Sequence, residues 1–416
     1  MYCVIDIETT GLSRFEDEIT LIGVGMYETL DDPGKFVVYE NTHEGMRKFR
    51  ARCERLKDTK ATMIWQNGKF DTLFIKRKEG FMLPIHHDVM LMGTAYEMVA
   101  EHGLKAMAQK YLGVEDWDID KKTKTGKGDM DKLKAYLKLD VKYTWELFKF
   151  FRERMNATQR KVYSKLLLPA YKMYRQTEQN GIYINLDGLD NVRAEYKQKE
   201  EEALKVLQGK YDINWNSPQQ VQDVFFNQEG LPTLKLSEKT GKPSADAKVL
   251  KKLASMGHEL PTQLLEYKFY YGANSKFLTR WGGYAKHDGR IHPHFNITNV
   301  VTGRTSCSDP NLQQVPRNKD LRSLFTAPEG RVFIEADYSQ IELRVAAHYA
   351  QETNMLKIYR EGGDIHTETA RTLCGGEPTK EDRSKAKAVN FGFLYGMQAK
   401  GHHNHKAADH NPHWTK

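Results

Sequence analysis

The stretch "VIDIETTGL", residues 4–12, constrains the fold more than any other. An apolar, β-prone run carries Asp6 and Glu8 two positions apart. Side chains alternate across a strand, so both carboxylates face the same way. Two like charges on one strand face repel unless cations sit between them. Hydrolysis of phosphodiesters by two metal ions, roughly 3.5–4 Å apart, uses such a cradle. Taken alone, the pair reads more readily as an exposed strand face with solvated acids.

Further acids extend the pattern. "NGKFD" supplies Asn67 and Asp71, and "YLKLD" supplies Tyr136 and Asp140. Tyr136 and Asp140 are four apart on a predicted helix and share its face. Hard oxygen ligands with no His or Cys beside them suit Mg²⁺ or Mn²⁺. A tyrosine one turn before the last carboxylate can orient an attacking water. His87-Asp88 fits no metal motif and reads as surface or capping.

A chain of 416 residues has room for two to four domains. The formal net charge of +8 leans mildly toward an anionic partner. Four cysteines lie far apart with no CxxC pair, which argues against a disulfide framework or zinc site and for a reducing compartment. No apolar run is long enough to span a bilayer, and the opening strand is not a signal peptide, so a cytoplasmic location is expected.

Strands are predicted at 2–8, 20–27, 35–39 and 61–65, with helices at 44–57 and 131–154. The polar, basic run 121–129 reads as a flexible loop. A helix over 160–180 stops at Asn180-Gly181, "IYIN" follows as a short strand, and a long charged helix covers 187–208. Further helices run to about 280, and strands and turns begin at 290. The order is α/β, then a helical middle, then α+β.

"RVFIEADYSQ" reads as a buried strand running into a helix, with Asp337 at the strand's C-terminal end, where ligands bind in such sheets. A carboxylate there can hold Mg²⁺ at a triphosphate and a primer 3′ end. In the predicted helix 383–397, Arg383, Lys387, Phe391 and Tyr395 recur every four residues along one face. The cations suit nucleotide phosphates, and the aromatics suit stacking on a sugar or base. The bland alternative is a solvated basic stripe beside core aromatics.

The acids and tyrosine, in this order, resemble the DEDDy 3′–5′ exonucleases. "TGRTSCSDPNLQQVPR" (302–317), "DYSQIELR" (337–344), "GGDIH" (362–366) and "RSKAKAVNFGFLYG" (383–396) follow in the order of family A DNA polymerases. The resemblance extends to residue 397 and suggests a phage-type enzyme. It implies an α/β, ribonuclease H-like exonuclease domain, followed by an α+β partial polymerase right hand. The implied divisions are exonuclease 1–155, thumb and connecting helices 156–290, partial palm 291–372, start of fingers 373–397, and a non-family His-rich tail 398–416.

The resemblance also implies roles. Asp6, Glu8, Asp71 and Asp140 would hold two Mg²⁺ or Mn²⁺ ions, with Tyr136 catalytic. Asp337 would bind both polymerase metals, and Tyr338 would lend its backbone carbonyl. Glu342 would crowd the 2′ position. His366, Arg383 and Lys387 would meet the triphosphate, Phe391 and Tyr395 would hold the sugar and templating position, and Gln340 would join the nucleotide site. Arg304, Asn311 and Gln313 would contact the primer–template minor groove. Cys307 and Gln314 are small departures from the family pattern. Substrates would be primer–template DNA, single-stranded 3′ ends and dNTPs, with no membrane partner and no processivity factor supported.

The "HDE"-type palm motif has no counterpart after residue 397, where five histidines fall between 402 and 413. The expectation is that the reading frame leaves the polymerase gene there, by intron, split gene or frameshift, and that synthesis needs a second chain carrying the rest of the palm. The alternatives are a stand-alone exonuclease with a DNA-binding polymerase remnant, and an inert DNA-binding fragment.

Overall fold

The computed structural model describes residues 1–238 and 240–397, so the predicted His-rich tail lies outside the described residues. Two compact units divide at Val332 and Phe333.

The first unit opens with a five-stranded sheet. Its strands are β1 (Tyr2–Thr9), β2 (Ile19–Tyr27), β3 (Lys35–Glu40), β4 (Thr62–Trp65) and β5 (His87–Asp88), in the order β3-β2-β1-β4-β5. β1 is central, antiparallel to β2 and parallel to β4. Helices cover both faces, which is why Cys3, Val4 and Ile5 are all buried rather than alternating in exposure. The ladder slips at Glu8/Thr9, where Glu8 faces Leu21 but Thr9 faces Ile19. Such an irregularity bends a strand and re-aims its side chains beside a site.

Around this sheet lie α1 (His43–Asp58), α2 (Lys69–Glu79), α3 (Val89–Tyr96), α4 (Leu104–Leu112), α5 (Lys121–Lys124) and α6 (Met130–Arg154). α6 presses closely on β2. A Cβ at Gly23 would lie 2.8 Å from the Leu137 Cγ, and one at Gly25 would lie 2.7 Å from the Val141 Cγ1. These two glycines let the helix carrying Tyr136 and Asp140 reach the sheet. The predicted loop at 121–129 is helical over Lys121–Lys124, because the Asp120 carboxylate accepts from the Thr123 amide (2.9 Å) and hydroxyl (2.6 Å).

The single helix predicted for 160–180 is α7 (Ala157–Val162), a π turn over Tyr163–Leu167, and α8 (Leu168–Asn180). Pro169 lacks the amide that would bond back to Lys165, and the ladder shifts just before it. Gly181 ends α8 at φ 60. β6 (Ile182–Tyr183), α9 (Leu186–Gln208), α10 (Pro218–Gln222), α11 (Ala247–Ser255), α12 (Glu259–Ala273) and α13 (Thr279–Ala285) follow. Two apolar clusters hold this region, one around Trp215, Phe225 and Leu264, the other around Tyr196, Trp281 and Leu324. β7 (Arg290–Ile291) pairs with β6, β8 (His294–Asn296) pairs with β9 (Ser306–Ser308), and α14 (Lys319–Arg322) precedes the unit boundary.

The second unit contains α15 (Ile341–Ala350), α16 (Thr353–Arg360), α17 (Ile365–Cys374) and α18 (Lys380–Leu394). A capping box between Thr379 and Asp382 starts α18. The buried strand predicted before Asp337 is absent. Residues 331–338 are exposed and join no ladder among the described residues, with Val332 at 82% and Ile334 at 86% exposure. A strand needs a neighbour to take its amides and carbonyls, and among the described residues none is paired with this run. No helix among the described residues is long and apolar enough to cross a membrane.

Candidate metal centre and nucleotide-binding face

β1 and α6 bring three of the four predicted exonuclease carboxylates together. One oxygen each from Asp6, Glu8 and Asp140 lies within 4.8 Å of the others. Asp71, in the first turn of α2, joins from the side, and its Oδ1 accepts from the Ile7 amide at 3.1 Å. Burial raises all four carboxyls. Asp6 is pushed well up by burial, then by Asp71, Asp140 and Glu8. Burial, then the charges of Asp140 and Asp71, push Glu8 up to about 8. Burial pushes Asp71 up to about 8, against its backbone hydrogen bonds. Asp140 rises less, to about 6, because burial is opposed by a 2.6 Å hydrogen bond from the Trp117 indole and by Lys105, Tyr136 and Lys124. A divalent cation would offset the mutual repulsion of four acids held this close. The donor set fits a hard divalent ion.

Tyr136 lies beside Asp140 and hydrogen-bonds to it. Burial, then the charges of Asp140, Glu8 and Asp6, push its hydroxyl up, so it remains a proton donor. Its ring lies 4.6 Å from the Lys105 ammonium and 5.6 Å from that of Lys124. Both lysines also pair with Asp118, Lys124 at 2.5 Å. Trp117, Lys105 and Lys124 were missed by sequence reasoning. The one available signal was the basic run at 121–129, and it read as a loop. Asp88 is capping but not surface. It is fully buried, accepts from the Leu91 amide at the start of α3, and also accepts from Gly68 N at 2.8 Å.

In the first unit, the predicted DNA-contact residues Arg304, Asn311 and Gln313 are exposed around β9. Asn311 Oδ1 accepts from Gln313 N (3.0 Å), and the Gln313 side chain donates to the Thr305 carbonyl (3.2 Å). Cys307 is buried.

In the second unit, α18 does assemble a mixed face. Phe391 and Tyr395 stack with ring centroids 6.4 Å apart, and His366 lies 5.7 Å from Phe391. Asn390 holds His366 Nδ1 at 3.0 Å, while the buried His366 Nε2 has no hydrogen-bond partner among the described residues. Burial lowers the His366 pKa. The Tyr395 hydroxyl donates to Glu342. Arg383 is bound to Asp364 (2.5 and 3.1 Å), and Lys387 is exposed. Gln340 precedes α15 at φ 54 and accepts from the Tyr359 hydroxyl at 3.2 Å. Asp337 and Tyr338 lie on the exposed run 331–338, apart from any metal-ligand cluster found among the described residues.

The first unit carries a carboxylate cluster on a mixed, helix-covered sheet, and the second carries a basic and aromatic helix, features that suit an enzyme handling phosphate-bearing substrates. Residues 2–156 match the family described as 3′-5′ exonuclease, and residues 187–409 match DNA polymerase family A. The chain belongs to the family A DNA polymerases, with a 3′–5′ exonuclease domain. It is 32% identical over 367 residues to DNA polymerase I of Rhizobium leguminosarum, covering 83% of this chain and 36% of that protein. It is 29% identical over 419 residues to DNA polymerase I of Borreliella burgdorferi, covering 95% of this chain and 45% of that one. The chain therefore spans less than half the length of these relatives, which are bacterial enzymes rather than phage ones. The fold is similar to the POL domain of Pol1 from M. smegmatis in complex with DNA primer-template and dNTP. The TM-score is 0.79 at 23% identity, over 97% of this chain and 69% of that one.

Proposed function

We propose that the chain excises nucleotides from DNA 3′ ends at the Asp6 centre and contributes the nucleotide-binding part of a DNA-templated DNA polymerase. The observation that carries the first half is the convergence of Asp6, Glu8 and Asp140 within 4.8 Å, with Asp71 beside them. These four would hold Mg²⁺ or Mn²⁺, two ions to the site. When bound, such ions supply charge neutralisation at the scissile phosphate and lower the pKa of water. Tyr136, kept protonated, orients the attacking water, and Lys105 and Lys124 keep Asp140 and Glu8 closer to ionisation. Purified chain with Mn²⁺ shortens single-stranded DNA from the 3′ end, and Asp6→Ala abolishes it. Equal activity in the two proteins would show the site to be misassigned.

The second half rests on the α18 face. Lys387 and His366 receive the triphosphate, and Arg383 joins by exchanging Asp364 for phosphate. Phe391 and Tyr395 hold the sugar and templating base, and Glu342, bonded to Tyr395, crowds the 2′ position with Gln340 at its side. Asp337 and the Tyr338 carbonyl take the polymerase metals, while Arg304, Asn311 and Gln313 read the minor groove. The parts correspond to exonuclease 1–155, thumb 156–290, palm 291–372 and fingers 373–397. The exposed run 331–338, paired with nothing among the described residues, supports a need for further palm sequence beside it, which a second chain would supply. The phage-type context has only the motif resemblance behind it. Primer extension in an Asp6→Ala background tests this half. Extension by the chain alone removes the need for a second chain. No extension even with a palm-bearing partner favours the stand-alone exonuclease.

A further inference from the structure

Asp71 owes its place to the first turn of α2, and that turn is gripped from outside the exonuclease sheet. Tyr171 of α8 accepts from the Lys69 amide at 3.1 Å and donates to Asn67 Oδ1 at 3.0 Å. The Lys69 ammonium, on a side chain 2% exposed, donates to the Glu178 carboxylate and to the Phe295 carbonyl. Glu178, at the end of α8 and 1% exposed, also accepts from the Phe295 amide at 2.7 Å. A lysine two residues before a metal-site carboxylate is thus held by residues 109 and 226 positions away, on α8 and β8. Both lie outside the residues matched to the exonuclease family, 2–156.

A buried ion pair adds little net stability, and an apolar pair of similar volume serves a core as well or better. What it adds is direction. Two charge-assisted contacts converge on one ammonium and fix it at a point. Asn67 sits at φ 57, so the turn entering α2 has little freedom of its own to absorb a shift. If the turn rotates, the Asp71 oxygen leaves the Ile7 amide and the neighbourhood of Asp6.

We infer that Lys69 and Glu178 are positioning residues for Asp71. They form a latch through which α8, between the two matched regions, and β8, within the polymerase match, set the geometry of the exonuclease metal centre. This rests on the exonuclease reading of Asp6, Glu8, Asp71 and Asp140.

The test uses the full chain with Lys69→Met, Glu178→Leu and the double variant Lys69→Met/Glu178→Met. Three quantities are read: melting temperature, Mn²⁺ affinity from titration of free Mn²⁺ by electron paramagnetic resonance, and single-turnover excision of a 3′ nucleotide. Mn²⁺ bound by wild type but not by Asp6→Ala defines the site. Lys69→Met alone lowers melting temperature and affinity together, since it strands a buried carboxylate. The double variant regains the melting temperature, yet its Mn²⁺ affinity stays about tenfold weaker and its excision about 10–100-fold slower, as for lost support behind a metal ligand. A double variant with wild-type affinity and rate overturns the latch. Should the double variant not fold, Glu178→Leu, which removes the acceptor of both bonds, decides, with weakened affinity supporting the latch and unchanged affinity overturning it. A wild-type chain that binds Mn²⁺ at the Asp6 site but excises nothing would overturn the exonuclease reading, and the Mn²⁺ arm would still decide the latch. A wild-type chain with no Asp6-dependent Mn²⁺ overturns both.

Discussion

Asp71→Asn should stabilise the metal-free protein at pH 8 while destroying its exonuclease. Asp71 is 3% exposed, and burial pushes its carboxyl from 3.8 up to about 8. The folded state therefore binds the proton more tightly than the unfolded chain. Between about pH 4 and pH 8 the native state holds a proton that the unfolded chain has lost, so stability falls as pH rises through that window. Each pH unit costs about 1.4 kcal/mol, which sets a ceiling of roughly 5 kcal/mol. Protons shared with Asp6 reduce this, and a gain of roughly 2 kcal/mol is expected for the variant. Asparagine is neutral at every pH, and its Oδ1 can still accept from the Ile7 amide. Urea unfolding in EDTA at pH 4 and pH 8 measures the effect. The variant and wild type should nearly coincide at pH 4, and the variant should be the more stable at pH 8. With saturating Mn²⁺ the order at pH 8 should reverse, because the ion binds the native wild type and not the variant. A variant that is less stable than wild type in EDTA at pH 8, or a gap that does not grow with pH, would refute the account of the carboxylates as a site strained by its own charge.

Trp117→Phe removes the 2.6 Å bond to Asp140, so the Asp140 pKa should rise, the acid limb of the excision–pH profile should move to higher pH, and the rate near neutrality should fall about tenfold. Gly23→Ala places a methyl 2.8 Å from the Leu137 side chain, pushing α6 off β2. It should cost about 1–3 kcal/mol in urea unfolding and lower excision more than it lowers DNA binding, because Tyr136 and Asp140 ride on that helix. Affinity for primer–template DNA, measured by fluorescence anisotropy, should fall linearly on a log–log plot against salt, and Lys387→Ala should make that slope shallower by about one contact.

Much of the first unit was legible in the sequence because its signals are local. Alternation in "VIDIETT" put Asp6 and Glu8 on one face, and the spacing of Tyr136 and Asp140 put both on one side of α6. The four-residue recurrence in α18 likewise placed Phe391 over Tyr395. Periodicity follows from the geometry of one element, and a sequence contains that geometry directly. It does not contain the partner. The run before Asp337 has the composition of a buried strand, but a ladder needs a second strand, and the described residues provide none. Trp117 and Lys124 meet Asp140 and Tyr136 only because the segment carrying Trp117 and the short helix α5 fold back on α6. Asp88 read as surface or capping, and packing made it a buried cap that also takes the Gly68 amide. Lys69 and Glu178 are two ordinary charges in sequence. Only the tertiary structure takes both out of water, and once they are there each needs the other.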